Sequence, residues 1–118
     1  MKKYIVSLGL LSLIITSCVQ KTNNQTVVFN LDVKGIKRIK NVGIRGLDKP
    51  LSWDYDYKMK IGKDSIYTAS ISGETGYRFT EIKFTINGDY ELKGQPNRRI
   101  VFDNSGVTIY KAKFNKLE

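Results

Sequence analysis

The chain contains no histidine. That absence removes the Ser-His and Cys-His nucleophile pairs and the commonest general base at neutral pH. Cysteine is nearly as scarce: Cys18 is the single one, so no intramolecular disulfide can form. No segment carries a 3.6-residue apolar stripe longer than two turns, and there is no internal repeat or low-complexity tract. The one long hydrophobic run, residues 5–15, is shorter than the roughly 20 residues a membrane-spanning helix needs. Phosphate-loop chemistry is also missing, because "GIRG" lacks both the glycine spacing and the Lys-Ser/Thr pair.

Carboxylates offer little more. Asp54 and Asp56 in "WDYDYK" stand two residues apart, so on a strand they share a face and lie beside each other instead of across a substrate. They are too few for calcium, which takes six to eight oxygens. The expectation is a pair of hydrated loop carboxylates next to Lys58 and Lys60, in a protein that is not an enzyme and holds no metal or cofactor.

The amino terminus is informative. Lys2 and Lys3 precede the apolar run in the manner of an export signal. Ile15, Thr16, Ser17 and Cys18 then resemble the lipobox of bacterial lipoproteins. That resemblance implies a signal peptide over residues 1–17, lipid on the Cys18 thiol and a further acyl chain, palmitate or similar, on its amine. Several acyl chains give stable anchoring where one would be marginal. Residues 18–25, the lipidated cysteine and the polar "VQKTNNQ", would form a tether, and residues 26–118 one domain of about 100 residues. The implied location is the bacterial cell envelope, on an outer-membrane or periplasmic face.

The net charge is +9, and the densest basic run is "KGIKRIK", residues 34–40. Clustered Lys and Arg attract phosphates without regard to sequence. For an exported lipoprotein a solvated loop or contact with anionic headgroups is expected, and nucleic acid is not. An anionic-ligand surface built from residues 34–40 with Arg98 and Arg99, on an OB-like barrel, is the weaker alternative.

Strand signals fill the rest. In "TVVFNLDV" the apolar side chains Val27, Phe29, Leu31 and Val33 alternate with Val28, Asn30 and Asp32, the period of a half-buried strand. Val42 and Ile44 predict a second strand. Tyr57, Met59 and Ile61 predict one arm of a hairpin and Tyr67, Ala69 and Ile71 the other, with the turn at Gly62, Lys63 and Asp64. "SGETGY", residues 72–77, reads as a loop. In "FTEIKFTI" Ile82, Phe84 and Ile86 share one face, so Lys83 points outward. Asn87 and Gly88 form a strong turn signal, since both tolerate positive φ. Strands near "YEL", over "RRIVFD" and over "VTIYKAKF" follow, the last with Tyr110, Ala112 and Phe114 on one side. About seven or eight short strands predict an all-β, antiparallel sandwich of immunoglobulin-like type; the five strands of an OB barrel fit less well.

Aromatic residues stand out, with seven Tyr, five Phe and one Trp. Trp53 and Tyr90 each lie among polar neighbours. An exposed flat ring beside hydrogen-bonding groups suits a sugar, whose C–H face packs on the ring while amides and charges take its hydroxyls.

Taken in order, "VVFNLDV", "NVGIRGLDKPLSWD", "DSIYTASIS" and "TEIKFTINGDYELKGQPNRRIVF" resemble the starch-binding domain, the family-20 carbohydrate-binding module. The likeness covers nearly the whole domain and implies a β-sandwich that binds α-glucan. Its ligand site would fall on Trp53 and Tyr90 as stacking platforms, with Lys83, Glu91 and Asn97 as hydroxyl partners. Tyr90 stands where the family has a second Trp, and the stretch from Tyr90 to Asn97 is two residues longer than usual.

Overall fold

The computed structural model describes residues 21–117. The expected export signal, Cys18 and the start of the expected tether lie outside those residues. The described chain is all β: β1 (Asn23–Asp32), β2 (Val42–Gly46), β3 (Tyr57–Lys58), β4 (Lys60–Ile61), β5 (Ile66–Thr75), β6 (Phe79–Ile86), β7 (Asp89–Tyr90), β8 (Arg98–Val101) and β9 (Val107–Lys113). They form two sheets, one ordered β4-β5-β1-β9 and the other β3-β2-β6-β7, with β8 also on β6. Two separate sheets make a sandwich and exclude the barrel alternative.

Inward side chains from both sheets build one core. Phe29, Leu31 and Val33 from the first sheet face Ile44, Ile82, Phe84 and Ile100 from the second, all buried. Phe29 joins the layers, with its ring edge-on to Phe84 at 6.0 Å and to Tyr110 at 6.1 Å. Such contacts add to the burial of apolar area that drives folding.

Four expectations need correction. Nine strands replace the seven or eight expected, because the arm predicted over residues 57–61 is broken in two. β3 pairs with β2 in one sheet and β4 with β5 in the other. Met59 is buried at the crossing, where its N–H donates to the Val42 carbonyl, and Ile61 is left 66% exposed. The sandwich is not wholly antiparallel either: β9 runs parallel to β1, from Thr26 opposite Val107 to Asp32 opposite Lys113. The chain crosses from β8 in one sheet to β9 in the other, and a parallel neighbour requires such a crossover.

The loop expected over residues 72–77 is instead strand as far as Thr75. It pairs with Asn23, Asn24 and Gln25, so the end of the expected tether belongs to β1. Both segments are polar because they extend past the buried core, and the strand ladder pairs them. The glycine there has a close-packing role: a Cβ on Gly73 would lie 2.7 Å from the Lys49 carbonyl oxygen.

The Asn87-Gly88 turn forms as expected, at φ 53 and 81. β7 and β8 then share the same edge of β6, since Tyr90 lies opposite Thr85 and Arg98 opposite Ile82. Residues 91–97 bulge out between them, alongside Phe84 and Lys83. This bulge shapes the site.

Candidate functional site

The alternation that buries Ile44, Ile82 and Phe84 turns Arg45, Glu81, Lys83 and Thr85 to the outer face of the second sheet. Arg45 and Lys83 are direct cross-strand neighbours. Over this face the loop after β2 lays down Trp53, and β7 brings in Tyr90.

Arg45 holds the arrangement together. Its Nε donates to Asp56 Oδ1 at 2.8 Å, and its Nη1 donates to the Trp53 carbonyl and to the Tyr90 hydroxyl, each at 3.3 Å. The guanidinium also sits 5.0 Å from the centre of the Tyr90 ring, a cation–π distance. Tyr90 donates its own hydroxyl to the Trp53 carbonyl at 2.6 Å. The Arg45 pKa is raised further, first by the bond to Tyr90 and then by that to Asp56. Trp53 and Tyr90 are therefore brought together, both partly exposed.

Asp56 clamps the loop from below. Besides Arg45 it accepts from Thr85 Oγ1 at 2.7 Å, and Thr85 is itself fully buried. Asp56 is thus a structural carboxylate and not the hydrated one expected, whereas Asp54 is exposed. The clamp needs a glycine opposite, since a Cβ on Gly43 would come within 2.7 Å of Asp56 Cβ and 2.9 Å of Thr85 Oγ1. Gly43→Ala is expected to displace the carboxylate and lower stability by about 1–2 kcal/mol, the cost of modest overpacking. Chemical denaturation measures it, and an unchanged midpoint would mean that the loop moves freely.

The remaining three expected site residues fare differently. Glu91 is 1% exposed, so it has no face to offer a ligand. Its Oε2 accepts from the Phe84 N–H at 2.9 Å and from Arg98 Nε at 2.6 Å. Its Oε1 accepts from Arg98 Nη2 at 2.8 Å and from the Asn115 N–H at 2.9 Å. The role of hydroxyl partner is corrected accordingly: four donors already use this carboxylate. Arg98, expected in an anionic surface, is 2% exposed and also donates to the Lys113 and Lys116 carbonyls, each at 2.9 Å. Burial, the largest single influence, works against its charge, but the bonds to Glu91 and the Tyr110 hydroxyl with the nearby Glu91 charge together outweigh it and the pKa is raised. Arg99 is exposed, with its guanidinium 3.7 Å from the centre of the Phe79 ring.

Lys83 does point outward, but its ammonium is occupied. Nζ donates to the Leu92 carbonyl at 3.1 Å and the Gln95 carbonyl at 3.0 Å, closing the turn in which the Gln95 N–H meets Leu92. The extra length after Tyr90 is therefore an ordered turn around Lys83, with Leu92 buried at φ 51 and its N–H on Asn115 Oδ1. Asn97 lies on the same outer face, and its Nδ2 donates to Glu81 Oε1 at 3.2 Å. Its own Oδ1 remains open.

Two residues escaped sequence reading. Arg45 could have been found from alternation, which puts it outward beside Lys83. Tyr55, 62% exposed and two residues from Trp53, had a weaker signal, being one of three aromatics in "WDYDY". A deeply enclosed ligand pocket is not part of this face. A hollow of about 40 Å³ between Val27, Phe29, Leu51, Ile71 and Phe102 has room for water but not for a sugar ring. Among the described residues no group of three or more His, Cys, Asp or Glu is gathered, and no helix is long and apolar enough to cross a membrane. No protein-family model matches the chain, and no curated protein matches it.

Proposed function

We propose that this domain is a non-catalytic carbohydrate-binding module, held at the cell envelope by lipid on Cys18. Its ligand rests on Trp53 and Tyr90, with Tyr55 extending the aromatic surface and Asn97 offering an acceptor at the rim. The likeness to starch-binding domains makes α-glucan the first class to test, although function belongs to a site and not to a sandwich as such.

The observation that carries this reading is the bond from the Tyr90 hydroxyl to the Trp53 carbonyl, tied by Arg45. It ties the Trp53 backbone to the Tyr90 hydroxyl on one polar sheet face, both residues being partly exposed, and a loop held in this way supports a site whose ordering cost on binding is reduced. A second reading, a structural or protein-interaction lipoprotein that keeps the sandwich without glycan, draws support from Lys83 and Glu91. Their polar atoms are spent inside the protein.

Trp53 is the single tryptophan, so its emission reports directly on the site. Maltooligosaccharide or cyclodextrin is expected to quench or shift that emission, and Trp53→Ala to weaken binding by about tenfold or more in amylose-gel retardation. Silent emission together with a flat glycan array would favour the interaction reading.

A further inference from the structure

One end of the sandwich is built from loops that bond to one another. The Asn87 side chain accepts from the Lys40 and Asn41 N–H groups and donates to the Arg38 carbonyl. The Val33 N–H meets Ser65, the Phe114 N–H meets Asp32, and the Leu92 N–H meets Asn115. This end lies at the finish of β1, about 30 Å from its start at Asn23, given the nine rises of a ten-residue strand. It is the end far from Asn23.

Basic side chains collect there. Lys34, Lys37, Arg38 and Lys40 from the loop after β1 are all exposed, as are Lys93, Lys113 and Lys116. Among the described residues the carboxylates at this end are Asp32, Asp64 and Asp89, with Glu91 buried against Arg98. Among the described residues the ion pairs are Arg45 with Asp56 and Arg98 with Glu91, so none of these cations forms an ion pair with a described carboxylate.

A groove runs between them. It starts beside Tyr90, Lys93 and Gln95, passes Ile36, Phe114 and Asn115, continues by Lys34 and Lys113, and leaves over Asn30 and Lys111. Consecutive stretches adjoin, sharing Ile36, Phe114 and Asn115 and then Asp32 and Lys113. The lining combines Tyr90 and Phe114, side-chain amides and lysines with two carboxylates, Asp32 and Asp89, and its first stretch includes Tyr90 of the aromatic platform.

We infer that this groove binds an anionic glycan, a chain of sugars bearing carboxylate or sulfate groups. The lysines meet the charges as flexible point cations, the amides meet hydroxyls, and Tyr90 and Phe114 pack on ring faces. The choice of sugar over other polyanions rests on the carbohydrate reading of the platform, since the groove begins at Tyr90. Charge on the ligand explains what a neutral α-glucan would not, the concentration of exposed cations at the tip.

The test is titration of the full domain with oligogalacturonate, which carries carboxylates, and with heparin oligosaccharide, which carries sulfates. Single-stranded oligonucleotide, polyglutamate and maltooligosaccharide serve as comparators. Binding to at least one acidic glycan is expected, weakening as salt rises. The triple variant Lys34→Gln, Lys93→Gln, Lys113→Gln is expected to lose about tenfold in that affinity, the sum of three exposed charge contacts. Its thermal melt should match the parent, since all three side chains are exposed. The relative affinity of the two acidic glycans distinguishes carboxylate from sulfate as the preferred charge. Equal binding to polyglutamate or oligonucleotide, or an unchanged affinity in the triple variant, would overturn the inference. Maltooligosaccharide separates the two claims: neutral binding without acidic binding sinks the groove alone, and acidic binding that needs the lysines without neutral binding sinks the neutral platform alone.

Discussion

Arg98→Met is expected to destabilise the domain by about 3–5 kcal/mol, because it leaves the Glu91 carboxylate buried without its counter-charge. The glutamate side chain has no solvent exposure and that of Arg98 is 1% exposed, so water cannot replace the lost partner. Against the 5–15 kcal/mol typical of a whole domain, such a loss is visible as a fall in Tm of more than about 10 °C. Chemical denaturation measures it, and a loss below about 1 kcal/mol would show that water reaches the pair in solution.

Removing both charges separates the pair from its surroundings. Glu91→Leu combined with Arg98→Met removes the stranded carboxylate, and buried pairs replaced by apolar residues often recover stability. Recovery here is expected to be partial. Glu91 also accepts from the Phe84 and Asn115 N–H groups, and Arg98 donates to the Lys113 and Lys116 carbonyls. A stability between those of the parent and Arg98→Met identifies the network, more than the ion pair, as what fastens the carboxy-terminal turn to the second sheet.

The position of this pair also shows where reading a sequence stops. Val27, Phe29, Leu31 and Val33 were legible because one face of β1 meets the core along most of its length, and alternation records that directly. The polar extension of β5 through Thr75 was not, since its partners in β1 lie beyond the core and no apolar pattern marks them. Glu91 and Arg98 lie seven residues apart across an irregular bulge. Charged residues are almost never fully buried unless paired, and no local pattern announces that two of them will be.

The site was legible in the same uneven way. Alternation turned Lys83 outward correctly, but could not show that its ammonium would meet the Leu92 and Gln95 carbonyls. Those acceptors exist only because Leu92 adopts positive φ and Gly94 follows at φ 76, a conformation set by tertiary contacts. The longer segment after Tyr90 thus changes Lys83 from a ligand group into a fastener. Trp53 and Tyr90, distant in sequence, meet because β7 pairs with β6 and β6 with β2.

Arg45→Met should therefore be the most damaging change on the outer face. It deletes the bond to Asp56 at 2.8 Å and both bonds to Trp53 and Tyr90. Hydrogen bonds to charged groups contribute about 1.5–3 kcal/mol each, but the two side chains keep 19% and 21% exposure, so solvent takes over part of the loss. A destabilisation of about 2 kcal/mol is expected, less than at Arg98 for that reason. The consequence for binding should be larger than the consequence for folding, since Met preserves the bulk of the stem and cannot fix the Trp53 loop against Tyr90. Trp53 emission should shift in the unliganded variant as the loop loosens, and glycan affinity should fall nearly as far as in Trp53→Ala. Arg45→Lys discriminates further: a lysine can meet Asp56 but cannot bridge Asp56, the Trp53 carbonyl and the Tyr90 hydroxyl at once. Stability restored by lysine without restored affinity would mark Arg45 as the residue that positions the platform. Affinity restored together with stability would show that the loop needs only a positive charge beneath it.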